Sequence, residues 1–152
     1  MNPTTDYCNC VILLNVYQPP LCCNILFIYK KPYLKIIKMS HKKIDNCIAA
    51  CSECAVESTH CISACLKESD VNMLARCIQL NQDCVAISLL ALQAMASSSE
   101  FAKQICKLCE EICKACADEC EKHSHMSHCK KCAKACRQCA DECGKMNKVC
   151  QG

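Results

Sequence analysis

From Tyr33 to Cys143 the chain carries nothing that breaks a helix, and small apolar residues recur through it at alternating steps of three and four. Such steps keep side chains on one face, because an α-helix turns once per 3.6 residues. Four stretches of this kind follow one another. The first is expected from about Lys42 to Lys67 and the second from about Val71 to Ala96. Between them Glu68-Ser69-Asp70 offers Ser69 or Asp70 as a helix cap. Ser97-Ser98-Ser99-Glu100 has the Ser-x-x-Glu form of a capping box and is expected to open the third helix, which ends near Lys122. The polar turn His123-Ser124-His125-Met126-Ser127-His128 leads into the fourth. Connections this short join antiparallel neighbours. The expected fold is all-α: an antiparallel up-down four-helix bundle.

The residue on the recurring face is cysteine. The 152 residues hold 22 of them, with only 2 Gly and 4 Pro. A secreted disulfide scaffold is short, loop-rich and full of turn residues; this composition is the opposite. Helix three carries Cys106, Cys109, Cys113, Cys116 and Cys120, and helix four Cys129, Cys132, Cys136, Cys139 and Cys143, at the same steps of 3, 4, 3 and 4, then Cys150. Helix one carries Cys47, Cys51, Cys54, Cys61 and Cys65, with Ser58 in the missing register position, and helix two only Cys77 and Cys84. This is the seam of a bundle, where Leu or Ile normally sits. Cysteine also packs as a small hydrophobe, but Leu and Ile pack better, and no folding need favours an oxidisable thiol at nearly every inner position. Rows along single helices also make poor specific disulfide pairs. A cysteine-lined, metal-binding interior is the expectation.

Thiolates select soft ions: Cu(I), zinc or iron–sulfur clusters. Iron–sulfur clusters want a compact loop such as C-x2-C-x2-C-x3-C-P, which the rows never form. Zinc held by four unshared thiolates would leave a net charge of −2 inside the bundle, costly to bury. Cu(I) with bridging thiolates exchanges one thiol proton for one positive charge, so the interior stays near neutral. Many Cu(I) ions per chain are therefore expected. A zinc- or cadmium-sequestering, metallothionein-like protein is the alternative, and an iron–sulfur electron-transfer protein a more distant one. No nucleophile–base pair, phosphate loop or paired catalytic carboxylate points to an enzyme.

Residues 1–38 differ from the rest. They contain all four prolines and an uncharged stretch from Tyr7 to Tyr29, long enough to cross a membrane but interrupted by Asn9, Asn15, Gln18, Pro19, Pro20 and Asn24. There is no basic start and no twin-arginine pair. They are expected to be a disordered or spurious extension, with the natural start at Met39 and the storage domain over 39–152; a membrane anchor or an export signal is the lesser alternative. Cys8, Cys10, Cys22 and Cys23 follow no helical period and are left out of the site. This segment carries the whole net charge of +3, so the body has no basic footprint for nucleic acid.

Met39 to Cys150 resembles the bacterial copper-storage proteins. The resemblance rests on Cys47-x3-Cys51-x2-Cys54, Cys77-Ile78-x5-Cys84, Cys106-x2-Cys109-x3-Cys113-x2-Cys116-x3-Cys120, the turn His123-Ser124-His125, and His128-Cys129-x2-Cys132-x3-Cys136. It implies Cu(I) storage without catalysis as the main role, a homotetramer of bundles, and the cytosolic branch, hence a cytoplasmic location. Copper ions, further copies of the chain and a copper chaperone as donor are the partners expected; a membrane is not.

Extending the register adds ligands at the ends. His123, His125, His128 and Met73 are expected to gather with Cys65, Cys120 and Cys129 at one end, a mouth where imidazole and thioether groups exchange ions; His128 is the least certain of them and stays outside the proposed ligand set, which includes His123 and His125. A polar, capping turn would explain the histidines equally well. Met95 and Met146 mark the other end, Met95 as a packing plug. Leu74, Ile78, Val85, Leu89 and Leu92 give helix two a surplus apolar flank suited to an oligomer interface. Glu110-Glu111, Asp118-Glu119 and Lys130-Lys131 are expected on solvated faces.

Overall fold

A computed structural model describes the backbone of residues 23–149 and the side chains of residues 41–146. Four α-helices account for it: α1 Cys23–Cys65, α2 Ala75–Ala96, α3 Ala102–Lys122 and α4 Ser127–Val149, with a 3-10 turn at Val71–Leu74. The chain divides into two compact units, Met1–Lys38 and Met39–Gly152, and the second carries the site. Of the first, only helical backbone from Cys23 onward is described. That helix starts earlier than the pattern suggests and passes through Pro32. Proline fixes φ near the helical value, so the helix loses a hydrogen bond there without having to end.

Contacts between inward side chains fix the topology. Cys47 and Cys51 meet Cys143, whereas Cys61 meets Cys129, so α1 and α4 are antiparallel. Cys77 meets Cys120 and Cys84 meets Cys113, which sets α2 against α3 in the same sense. Cys109 meets Cys139 between α3 and α4. Cys54 reaches across to Cys113, and Cys84 to Cys136, along the two diagonals. The expected up-down-up-down bundle is what forms.

The core is made of small side chains. All the described cysteines from Cys47 to Cys143 are at most 1% exposed, and Ala50, Ala55, Ala91, Ala94, Ala117, Ala133, Ala135 and Ala140 are buried with them. Leu74, Ile87 and Met95 are the only larger apolar side chains buried among the described residues. Thiols thus fill the place that Leu and Ile take in an ordinary bundle. Among the described residues, no helix is long and apolar enough to cross a membrane.

Two helix boundaries differ from expectation. Ser97-Ser98-Ser99 ends α2 instead of opening α3. Ser98 has φ 53°, Ser99 N–H donates to Ala94 O at 2.9 Å, and Ser98 N–H donates to Met95 O at 3.2 Å. This is a Schellman closure with serine in the left-handed position where glycine is usual. Phe101 then caps α3 without a side-chain hydrogen bond, so no capping box forms. Asp70 likewise precedes the 3-10 turn with no side-chain cap.

Candidate metal centre

The cysteines form a column of sulfur along the bundle axis. Neighbouring sulfurs lie 3.4–3.9 Å apart, as in Cys54–Cys84 at 3.4 Å, Cys51–Cys139 at 3.6 Å and Cys61–Cys65 at 3.9 Å. None of the 17 described cysteines is in a disulfide. A metal–thiolate bond of about 2.3 Å puts two sulfurs on one ion at up to about 4.6 Å apart. These pairs are within that reach.

Several sets bring their ligand atoms within 4.8 Å of one another: Cys51, Cys109, Cys139 and Cys143; Cys47, Cys106 and Cys143; Cys54, Cys84 and Cys136; Cys54, Cys113 and Cys139. The sets share members. Cys54, Cys139 and Cys143 each belong to two of them, so one sulfur is placed to serve two ions.

The thiols titrate as one network, whose protons belong to the cluster more than to single residues. A thiolate is stabilised by the S–H groups around it, which then hold their own protons. Cys113 first, then Cys136, holds Cys54 far below the ordinary thiol value, and Cys116 and Cys132 do the same for Cys120. Cys136 is pushed far up by its bonds to Cys116 and Cys132. At Cys129 burial is the leading cause and raises the thiol to about 12, with the nearby Cys65 adding to it.

Three fully buried polar residues interrupt the column: Ser58, Asn81 and Ser88. Ser58 occupies the register position expected of it, and Ser88 lies four residues after Cys84 on the same stripe. Asn81 was not expected, although it lies four residues after Cys77 and three before Cys84, on the same stripe. Its register was the available signal.

The mouth differs most from expectation. Met73 is 70% exposed, and its neighbour Leu74 is buried instead. The 3-10 turn advances three residues per turn, which rotates this segment out of phase with α2. His125 is exposed, and its ring lies 6.4 Å from that of the half-buried His123. His123 Nε2 faces Glu119 Oε1 at 3.7 Å. The histidine aimed into the thiols is His128, which forms a ligand set with Cys61, Cys65 and Cys129. Its Nε2 is buried and has no hydrogen-bond partner, while Nδ1 is 4.0 Å from Glu68 Oε1.

Glu119 is 7% exposed and is not on a solvated face. Its carboxylate accepts from Lys122 Nζ at 2.7 Å and Arg76 Nε at 3.2 Å, and the lysine holds its carboxyl below the usual range. Asp118, Glu111, Lys130 and Lys131 are exposed as expected. At the other end Met95 is buried in the core and Met146 packs against it. On the expected apolar flank, Leu74 of the 3-10 turn is buried, Ile78 and Leu92 of α2 pack against the core, and Leu89 is exposed. Cys8, Cys10, Cys22 and Cys150 lie outside the described residues, as does the uncharged stretch before residue 23.

A family model described as "Csp: Copper storage protein" matches residues 40–148. The chain belongs to this family. A cysteine-rich protein of Bacillus subtilis, YhjQ, is 48% identical over 81 residues, which cover 53% of this chain and 75% of that protein. Among solved structures, the Cu(I)-bound copper storage protein BsCsp3, from Bacillus subtilis, is 45% identical with a TM-score of 0.66, covering 69% of this chain and 98% of its own. A cytosolic copper storage protein from Streptomyces lividans, carrying five coppers, is 30% identical with a TM-score of 0.71, covering 73% and 97%. These structures share the four-helix bundle with this chain, in which many cysteines cluster inside the bundle.

Proposed function

We propose that this chain stores Cu(I) in bulk on bridging thiolates within the bundle, buffering and detoxifying copper. The observation that carries it is the sharing of Cys54, Cys139 and Cys143 between neighbouring ligand sets. Cu(I) takes two or three thiolates and bridges through them, so shared sulfurs let each thiol proton lost be matched by one positive charge, whereas four-coordinate zinc on the same sulfurs would leave more negative charge in the core. The relatives with copper in their structures support the same choice of metal.

The ligands are the cysteines of the body, from Cys47 to Cys143, with Cys150 continuing the row of α4. Residues 39–152 form the storage domain and 1–38 an extension. Ions pass at the end where α1 meets the 3-10 turn and α3 meets α4. There His128 binds with Cys61, Cys65 and Cys129, while His123 and His125 sit further out as the first groups an arriving ion meets. A homotetramer, a cytoplasmic location, a copper chaperone as donor and the absence of an enzymatic role complete the proposal.

Anaerobic titration of the reduced protein with Cu(I), in competition with a strong Cu(I) chelator, tests it. Saturation near one ion per body cysteine is expected. The set Cys51, Cys109, Cys139 and Cys143 has the number of thiols zinc needs. Saturation at about one ion per four cysteines, with zinc preferred, would replace storage of copper by sequestration of zinc or cadmium. A visible iron–sulfur spectrum would replace both.

A further inference from the structure

At the mouth end no sulfur touches water. Cys61, Cys65, Cys77, Cys120 and Cys129 are all 0% exposed, so an ion cannot reach them unless part of the wall moves. The walls are not equally secured. The end of α1 is closed by backbone hydrogen bonds from Leu66, Lys67 and Glu68, and the turn from α3 to α4 by those from His123, Ser124 and Met126. α2 is entered from a 3-10 turn instead. Asp70 before that turn and Leu74 before the helix both lack a side-chain cap, and the first turn of α2 has no acidic residue. No local side chain answers its early N–H groups or the positive end of its dipole. Arg76, a cation in that turn, adds to the imbalance.

Leu74, 1% exposed, anchors this segment from within. Glu119 of α3 holds it from outside. The buried carboxylate accepts from Arg76 Nε at 3.2 Å and from Lys122 Nζ at 2.7 Å, and its other oxygen is 3.7 Å from His123 Nε2. Lys122 and His123 stand at the same end of α3 as Glu119; Arg76 alone comes from the facing helix. The next residues in sequence are Cys77 and Cys120, whose sulfurs meet at 3.6 Å. An ion pair on the surface and a thiol pair in the column thus join the same two points of α2 and α3. The Arg76 side chain is 72% exposed, so little is lost when it is released into water, and Glu119 then still keeps Lys122.

We propose that Arg76 and Glu119 form a latch on the mouth: the first turn of α2 frays to let an ion pass, and the pair holds it shut. Local opening of this kind is drawn from the least secured part of a fold. Release of Arg76 parts Cys77 from Cys120 and uncovers both sulfurs. Cys61, Cys65 and Cys129 keep their places on α1 and α4 to receive the ion. Neither Arg76 nor Glu119 binds copper; both are positioning residues. The inference rests on the Cu(I)-storage function proposed above.

The test uses the full chain, loaded anaerobically with Cu(I) and mixed with a large excess of a strong Cu(I) chelator whose complex absorbs in the visible. R76A and E119Q should bind as much copper as wild type and release it about fivefold faster, the factor that about 1 kcal/mol from one partly exposed ion pair is worth. R76K, which keeps the cation, should stay close to wild type. Added salt screens the exposed pair, so it should speed release from wild type and leave R76A and E119Q unmoved. Hydrogen exchange of the copper-free protein gives a readout that needs no copper: in R76A it should quicken in residues 74–78 and stay unchanged in α1, α3 and α4. Unaltered release from both folded variants, a salt response in R76A equal to that of wild type, or quickened exchange throughout the bundle would overturn the latch. A full load with unaltered release sinks the latch and leaves storage standing. Uptake of only a few ions sinks storage, and exchange in the first turn of α2 then decides the latch alone.

Discussion

Glu68 Oε1 faces Nδ1 of His128 at 4.0 Å, and the ring's other nitrogen is buried beside Cys61, Cys65 and Cys129 with no hydrogen-bond partner. At 4.0 Å the carboxylate is not hydrogen-bonded to the ring, but a small rotation would bring it to the position of the carboxylates found behind metal-bound histidines. His128→Ala should therefore slow copper uptake and weaken the outermost ion while leaving total capacity almost unchanged. Glu68→Ala should weaken the same ion by roughly tenfold, the low end of outer-shell effects. Stopped-flow loading and chelator competition measure both. Unaltered uptake and affinity in His128→Ala would remove the imidazole from the path.

The carboxylate of Glu119 is held below its ordinary range by Lys122, with Arg76 adding to it. A depressed carboxyl contributes stability that is present above the unfolded value, about 4.3, and is lost as pH falls through the lower folded value. In the copper-free protein Glu119→Gln should cost about 1 kcal/mol at neutral pH. The gap between variant and wild type should close as the pH is taken well below 4.3. Urea melts across that range report it, and a gap independent of pH would mean that the ion pairs contribute nothing.

Ser98 occupies the left-handed region at φ 53° in the closure of α2. A side chain there costs about 1 kcal/mol or more relative to glycine, and glycine returns part of that as chain entropy. Ser98→Gly should raise the stability of the copper-free protein by about 0.5 kcal/mol, with copper capacity unchanged. Thermal unfolding would show it; a lower midpoint would mean that the Ser98 side chain makes a contact worth more than its strain.

Ser98 also shows where the sequence stops being a guide. Ser97-x-x-Glu100 matches a capping box by residue type, yet the same serines suit the end of α2, and the choice depends on how the two helices pack. The rows of cysteine were legible because a helical face and a metal-binding face obey the same period, so Cys106 to Cys120 needed no tertiary information. Asn81 was legible by the same period and was hidden only by its polarity. Met73 and Leu74 were not, because a 3-10 turn changes the phase and nothing local in Val71–Leu74 announces it. Glu119 stands beside Asp118 in sequence, but Glu119 is buried against Lys122 and Arg76, whereas Asp118 stays exposed and pairs with Arg137. Spacing alone cannot tell which of the three rings of the turn a helix start turns inward, and here it is that of His128.

The central claim is that bridging thiolates take up Cu(I) in bulk, each ion displacing protons that the thiol network still holds. The most direct measurement is the number of protons released per ion during anaerobic titration of the reduced protein in weak buffer at neutral pH. Binding should release at most about one proton per Cu(I) and continue to about one ion for each of the 18 cysteines from Cys47 onward. Saturation after a handful of ions, each releasing several protons, would contradict it, because those are unshared sites and not a column of bridged copper.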